Sequence, residues 1–442
     1  MNAHFRGSCL SLVSLVAAAT CVAGEPEAKN GRGKDLAPVF LKDNPLKELP
    51  SEPGPHIAKI KAMKPGSWLD LGSPAADPKW GRARGRSWGG HAMMPAPDFR
   101  GAMYTGEGKH AYVKPDGYGM DDWWFYDINA HAWICVWPGT NTRELGRQVK
   151  EGKIKVNKKG RAVDESGQPV PAHILIHTYH LLTYNSDEQK FALMAMYPTY
   201  IRYFMPGLGR KQPKPVRDSC EEAIKALEAQ GLKRNKANPG PWTYDMKTGR
   251  FAFEGKTSIG KTGLGMFEYI PKKKKYIFLR GGKYEYFDPA TGTLSKAIKT
   301  PLGGIEYIGC YDAKRNRVYC GNRGDRFCCV DLNDDSVTRI EFPKSETHLF
   351  KKASLQVHLA SAVFDVASDR ALVFHFGSRK QRGKIYAIDA ATKKVLEPIP
   401  FGPEFRKGGT NATFYDPELA VTFIFTAGDS GAGGRMWVYR HK

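Results

Sequence analysis

The chain has 442 residues, 41% of them apolar and 12% aromatic, which suits a large packed core and excludes a wholly disordered or fibrous protein. Its 67 Lys and Arg against 45 Asp and Glu give a formal net charge of +22, a field that favours anionic partners and disfavours basic ones. Lysines that are merely solvated explain the same total equally well.

In chain order, Arg6 precedes an apolar run from Leu10 to Ala23 that ends in small residues before Glu25, the three parts of a secretory signal over residues 1–24. The run is short for a bilayer span, so no transmembrane segment is expected. A lipid anchor at Cys21 is the weaker reading, because Ala18 and Thr20 fit such a signal poorly. Removing the segment takes away one basic side chain, Arg6, and leaves the protein strongly basic. Export makes nucleic acid the least expected anionic partner and leaves anionic polysaccharide or an extracellular protein. It also leaves Cys135, Cys220, Cys310, Cys320, Cys328 and Cys329, an even number in an oxidising setting. A hairpin turn centred on Arg315 sets Cys310 opposite Cys320, whereas Cys328 and Cys329 alternate faces of one strand. Half-buried free cysteines are the equal alternative.

Residues 25–66 carry prolines among charges with little apolar periodicity and read as an irregular arm. Ser67 to Leu71 is one short strand with no partner nearby. A first meander of short aromatic and β-branched runs follows, from His91 through Trp123–Asp127 to Val136. An insertion over about 137–176 includes a small hairpin at Ile154 to Val163. A second meander starts at His177 and breaks for another insertion, about 195–241, before Trp242–Asp245. Within it Ser219 and Glu222 have capping-box spacing, and Ala223, Ile224 and Leu227 lead to a glycine stop at Gly231. This predicts the one substantial helix of the body. Met266 to Phe342 then states the same meander twice. A fifth runs from Ser361 to Leu396. The last, from Asn411 to Tyr439, stops one strand short.

An aromatic or aliphatic residue followed by Asp recurs at Asp127, Asp245, Asp288, Asp331 and Asp389, with intervals of 43 from 245 to 288 and from 288 to 331. Dyads at Tyr184-Asn185, Phe267-Glu268, Tyr311-Asp312, Phe364-Asp365 and Tyr415-Asp416 read as closing the first strand of their units, with side chains that bond backbone N–H groups in the turns. Meanders that cannot bury both faces alone must stack. The expected architecture is an all-β, six-bladed β-propeller over residues 67–442 with one short inserted helix, closed by pairing the N-terminal strand with the C-terminal one. A seventh blade hidden in residues 137–241 is the alternative.

The strings WFYDINAHAW, WTYDMKTGRF, YEYFDPATGTL and YAIDAATKKV resemble those of the kelch and galactose-oxidase-like β-propellers. The double glycine of kelch units is matched best at Gly281-Gly282 and Gly89-Gly90 and is not found in every unit. Tyr179-His180 resembles the Tyr-His copper ligands of galactose oxidase, but no matching further ligands follow in order, so a copper radical site is not expected.

In such a fold the innermost strands line an axial channel, and the loops beside their starts carry function. Arg280, Arg323, Arg326, Arg379, Arg382 and Arg406 fall in those loops and suit carboxylate or sulfate groups, with surface scatter as the equal alternative. His91, His177, His180, Glu306 and His358 fall at starts of innermost strands. Of these, His177, His180 and His358 are the candidates for acid–base work, and the same three with His91 the candidates for a metal. There is no His-Glu-x-x-His. No cofactor is expected, with a histidine-held metal as the alternative. The expected function is an exported binding or interaction module for anionic extracellular polymers. The alternative is a polysaccharide lyase or hydrolase, or a metal-dependent enzyme, using the channel histidines.

Overall fold

The computed structural model describes residues 43–83, 92–105, 121–139, 142–158, 160–170, 178, 180–194, 214–232, 241–254, 265–303, 307–321, 327–343, 360–377, 383–403, 410–427 and 434–442. Six antiparallel sheets of four or five strands form the body, each a meander running from an innermost to an outermost strand. The innermost strands are Ala92–Ala96, Leu182–Asn185, Met266–Ile270, Ile308–Asp312, Ala360–Asp365 and Thr410–Asp416. Each contacts the next, and the last contacts the first, so the sheets close a ring around an axis. We number these blades 1 to 6 in that order.

The ring closes as the unpaired strand requires. Trp68–Gly72 forms the outer edge of blade 6, with Trp68 opposite Tyr439 and Asp70 opposite Trp437. Trp68 packs on the rings of Phe401 and Tyr439. Pairing the two ends of the chain satisfies backbone groups that an open blade would leave exposed. Between blades the core is aromatic, with Trp123, Trp124, Tyr126, Trp242, Tyr244 and Tyr319 buried. Large flat side chains suit the widening space between splayed sheets.

The recurring Asp residues do what the repeat predicts. Asp127, Asp245, Asp288, Asp331 and Asp389 end their third strands and accept hydrogen bonds from backbone N–H groups of the following turn. Asn185, Asp312, Asp365 and Asp416 do the same after the first strand. All six first hairpins have a four-residue loop, and the last loop residue is left-handed in each: Arg100, Gln189, Lys274, Asn316, Asp369 and Ala420. This fixes equivalent positions across the blades, and it corrects one reading. Glu268 is not the turn-capping residue of blade 3; Ile270 is at that position, and Pro271 opens the loop in place of a capping acid.

Other differences have local causes. The insertions do not make a seventh blade. The helix Thr142–Lys150 packs on the helix Lys214–Ala229, and Leu145, Val149 and Ile154 join Ala223, Ile224 and Leu227 in a separate small core, beside the hairpin of Lys155–Val156 with Ala162–Val163. The second insertion therefore does not hold the only substantial helix. Its helix starts at Lys214, with Pro215 tolerated in the first turn, so Ser219 is internal and not a cap; Gly231, at φ +96°, follows its end. The arm is not wholly irregular, since Pro55–Lys61 is a short helix that buries Ile57 and Ile60. Cys310 is opposite Tyr319, and Cys320 is opposite Cys328. The hairpin turns between Lys314 and Arg315, half a residue from the expected centre, and that slip puts Cys310 and Cys320 on opposite faces. Cys135, Cys310, Cys320, Cys328 and Cys329 are all buried free thiols. Among the described residues, no helix is long and apolar enough to cross a membrane.

Candidate functional site: the axial channel

Each innermost strand runs along the axis, and its successive side chains turn toward the blade on either side. Two positions before the end of the strand, the equivalent residues are Met94, Thr183, Glu268, Cys310, Val363 and Phe414. Five blades thus place an apolar or weakly polar group at this level, and blade 3 places a carboxylate. A cavity of about 280 Å³ lies here, with walls from all six innermost strands or the residues just before them. Most of its lining is apolar, including Met93, Met94, Ile308, Ala360, Phe364 and Phe414.

Its polar groups are few and engaged with one another. Glu268 Oε2 lies 2.7 Å from His180 Nε2, and Oε1 accepts a hydrogen bond from Thr183 Oγ1 at 3.3 Å. The backbone N–H of Tyr269 donates to the same Thr183 hydroxyl at 2.9 Å, which turns the hydroxyl proton toward the carboxylate. Both side chains of the His–Glu pair are mostly covered, at 15% and 13% exposure. Two blades further on, Ser361 Oγ and Thr413 Oγ1 are 2.6 Å apart, joining blades 5 and 6. A hydroxyl pair shares one proton and keeps the other for an outside acceptor.

Glu268 also shapes its neighbours. Burial, followed by the charges of Glu268 and Asp312, pushes the Cys310 thiol well above its ordinary value. The same three causes push the Tyr311 phenol up to about 12. Both groups are neutral near pH 7, so Cys310 is a packed thiol and not a thiolate nucleophile.

Of the histidines expected at the channel, the structure places His180 there, while His91, His177 and His358 lie outside the described residues. Glu306 lies outside them too, as do Arg323, Arg326, Arg379, Arg382 and Arg406. Arg280 is described: its Nε and Nη2 bond Glu285 Oε2 at 3.1 and 3.0 Å, and its guanidinium lies 4.8 Å from the centre of the Phe278 ring. Sequence reasoning missed Glu268, Thr183, Ser361 and Thr413 as site residues. The signal for Glu268 was present, since Tyr269 and Ile270 still separate it from the Pro271 turn. Among the described residues, no group of three or more His, Cys, Asp or Glu side chains is placed to hold a metal ion.

No protein-family model matches the chain, and no curated protein matches it. Among solved structures, the hydrazine synthase of Kuenenia stuttgartiensis is 11% identical at a TM-score of 0.27, over 38% of this chain and 42% of that one. An auxiliary nutrient-binding protein from Bacteroides ovatus is 9% identical at a TM-score of 0.44, over 84% of this chain and 76% of that one. This chain thus spans less than half the length of the synthase chain it matches. Likenesses this distant do not say what the chain binds or does.

Proposed function

We propose that this protein is a binding propeller that takes a small organic ligand into its axial channel. The observation that carries this reading is the cavity of about 280 Å³ on the axis, whose apolar walls surround one hydrogen-bonded His180–Glu268 pair. A mostly apolar hollow with a few convergent polar groups is the usual form of a ligand site, and its volume is at the small end of the roughly 300–1,000 Å³ such sites span. The test is a thermal-shift series with small aromatic and aliphatic compounds on the full chain and on Ala360→Phe, which fills the channel from blade 5. Ligands that bind only the folded state raise its melting temperature in proportion to the logarithm of their concentration. The rise is expected in the parent and lost in the variant; equal rises in both would place the ligand elsewhere.

A second reading concerns the outside of the molecule. The segment from Arg6 to Gly24 supports export, and the net charge of +22 supports contact with an anionic extracellular polymer through basic loops. Such a polymer does not suit the channel. A carboxylate about 4 Å from Glu268 is disfavoured by about 4 kcal/mol at an effective dielectric of about 20. Size-exclusion chromatography with acidic polysaccharides tests the outer contact. Co-elution that salt weakens supports it, and its absence removes it. Shortening of the polymer would instead support a depolymerase, with His180 and Glu268 as its acid–base pair.

A further inference from the structure

The channel carries the opposite sign of charge to the protein around it. The chain has 67 Lys and Arg, yet none lines the cavity among the described residues, where Glu268 is the one carboxylate. We infer that the channel ligand is an organic cation, a protonated amine on an apolar body. This rests on the channel being the ligand site. His180 Nε2, 2.7 Å from Oε2, orients the Glu268 carboxylate. Among the described residues each carboxylate oxygen is engaged by a single side chain, His180 at 2.7 Å or Thr183 at 3.3 Å, and a carboxylate has about four acceptor sites. An ammonium can therefore bond Glu268 without displacing either partner.

The rest of the wall suits the same chemistry. Phe364, Phe414, Tyr311 and Tyr415 are among the lining residues, and aromatic side chains attract cations, most strongly where water is excluded. The negative field of Glu268 reaches the next blade, where it helps hold Cys310 and Tyr311 in their neutral forms. Across the ring, the hydroxyls of Ser361 and Thr413 offer a second polar contact to the far end of a ligand. An anionic ligand would meet Glu268 with repulsion, and a neutral one would leave its charge unused.

Isothermal titration of the full chain with 2-phenylethylamine, 2-phenylethanol and 3-phenylpropionate tests this, since the three differ mainly in the charge of the head group. The amine is expected to bind at least about tenfold more tightly than the other two, the usual weight of a charge-assisted hydrogen bond over a neutral one. Glu268→Gln, checked for folding by circular dichroism, is expected to erase that preference while changing alcohol binding little. Should the variant fail to fold, the ranking of the three compounds on the parent chain still decides. Propionate binding as tight as the amine, or a preference kept in folded Glu268→Gln, overturns the cation. If the alcohol or propionate binds and filling the channel by Ala360→Phe abolishes it, the channel reading survives and only the ligand class falls. Binding of none of the three overturns both.

Discussion

Glu268 illustrates how one residue can be legible as a type and misread in role. Its dyad with Phe267 matches the scaffold pattern of the other blades, and only the hairpin register moves it from the turn to the channel wall. A two-residue displacement in a strand keeps the face and changes the height, which no local pattern records. His131 makes a separate residue-scale case. It holds a left-handed backbone at φ 51°, its Nδ1 lies 2.8 Å from the Tyr126 hydroxyl, and its ring is 5.4 Å from that of His56. Burial, and next the neighbouring His56, lower its pKa from 6.5 to about 4. The unfolded chain therefore binds a proton that the folded protein refuses. Stability from this site is full above about pH 6.5 and is lost as pH falls from there toward about 4. His131→Asn keeps a residue that tolerates the left-handed backbone and removes the titration. Urea midpoints across this range should fall more steeply in the parent than in the variant; parallel slopes would remove the assignment.

Strands and their turns were the most legible elements. Alternating aromatic and β-branched runs, a turn Asp at a fixed place and a lone strand before the first blade carry nearly the whole ring, because they are local patterns repeated. The insertions were less legible: their helices bury a face in a small separate core of their own, and Lys214–Ala229 already includes Ser219 in its interior. Ring closure makes the element-scale prediction. Trp68 is half-buried against Phe401 and Tyr439, whereas Asp70 and Arg435 form an ion pair at the surface. Trp68→Ala should cost about 2–3 kcal/mol, somewhat less than a fully buried aromatic, and Arg435→Ala under about 1 kcal/mol. Chemical denaturation of both variants checks the order, and a larger loss from Arg435→Ala would mean that charge, not packing, holds the closing strand.

At the scale of the whole molecule, the sequence foretold an axis but not what lies along it. The cavity takes one to six residues from each of six segments spread between Met93 and Pro417, so its polarity exists only once the ring has closed. The basic composition pointed outward to anionic partners, while the axis presents a carboxylate among apolar walls. Methyl NMR of the full chain with labelled methionines tests the channel reading most directly. Met93 and Met94 line the cavity, and Met246 is buried in the core around blade 2. Titration with 2-phenylethylamine is expected to shift the Met93 and Met94 methyl signals along one saturable curve and leave Met246 in place. Saturable binding with Met93 and Met94 unmoved would contradict the account, because the ligand would then sit away from the axis.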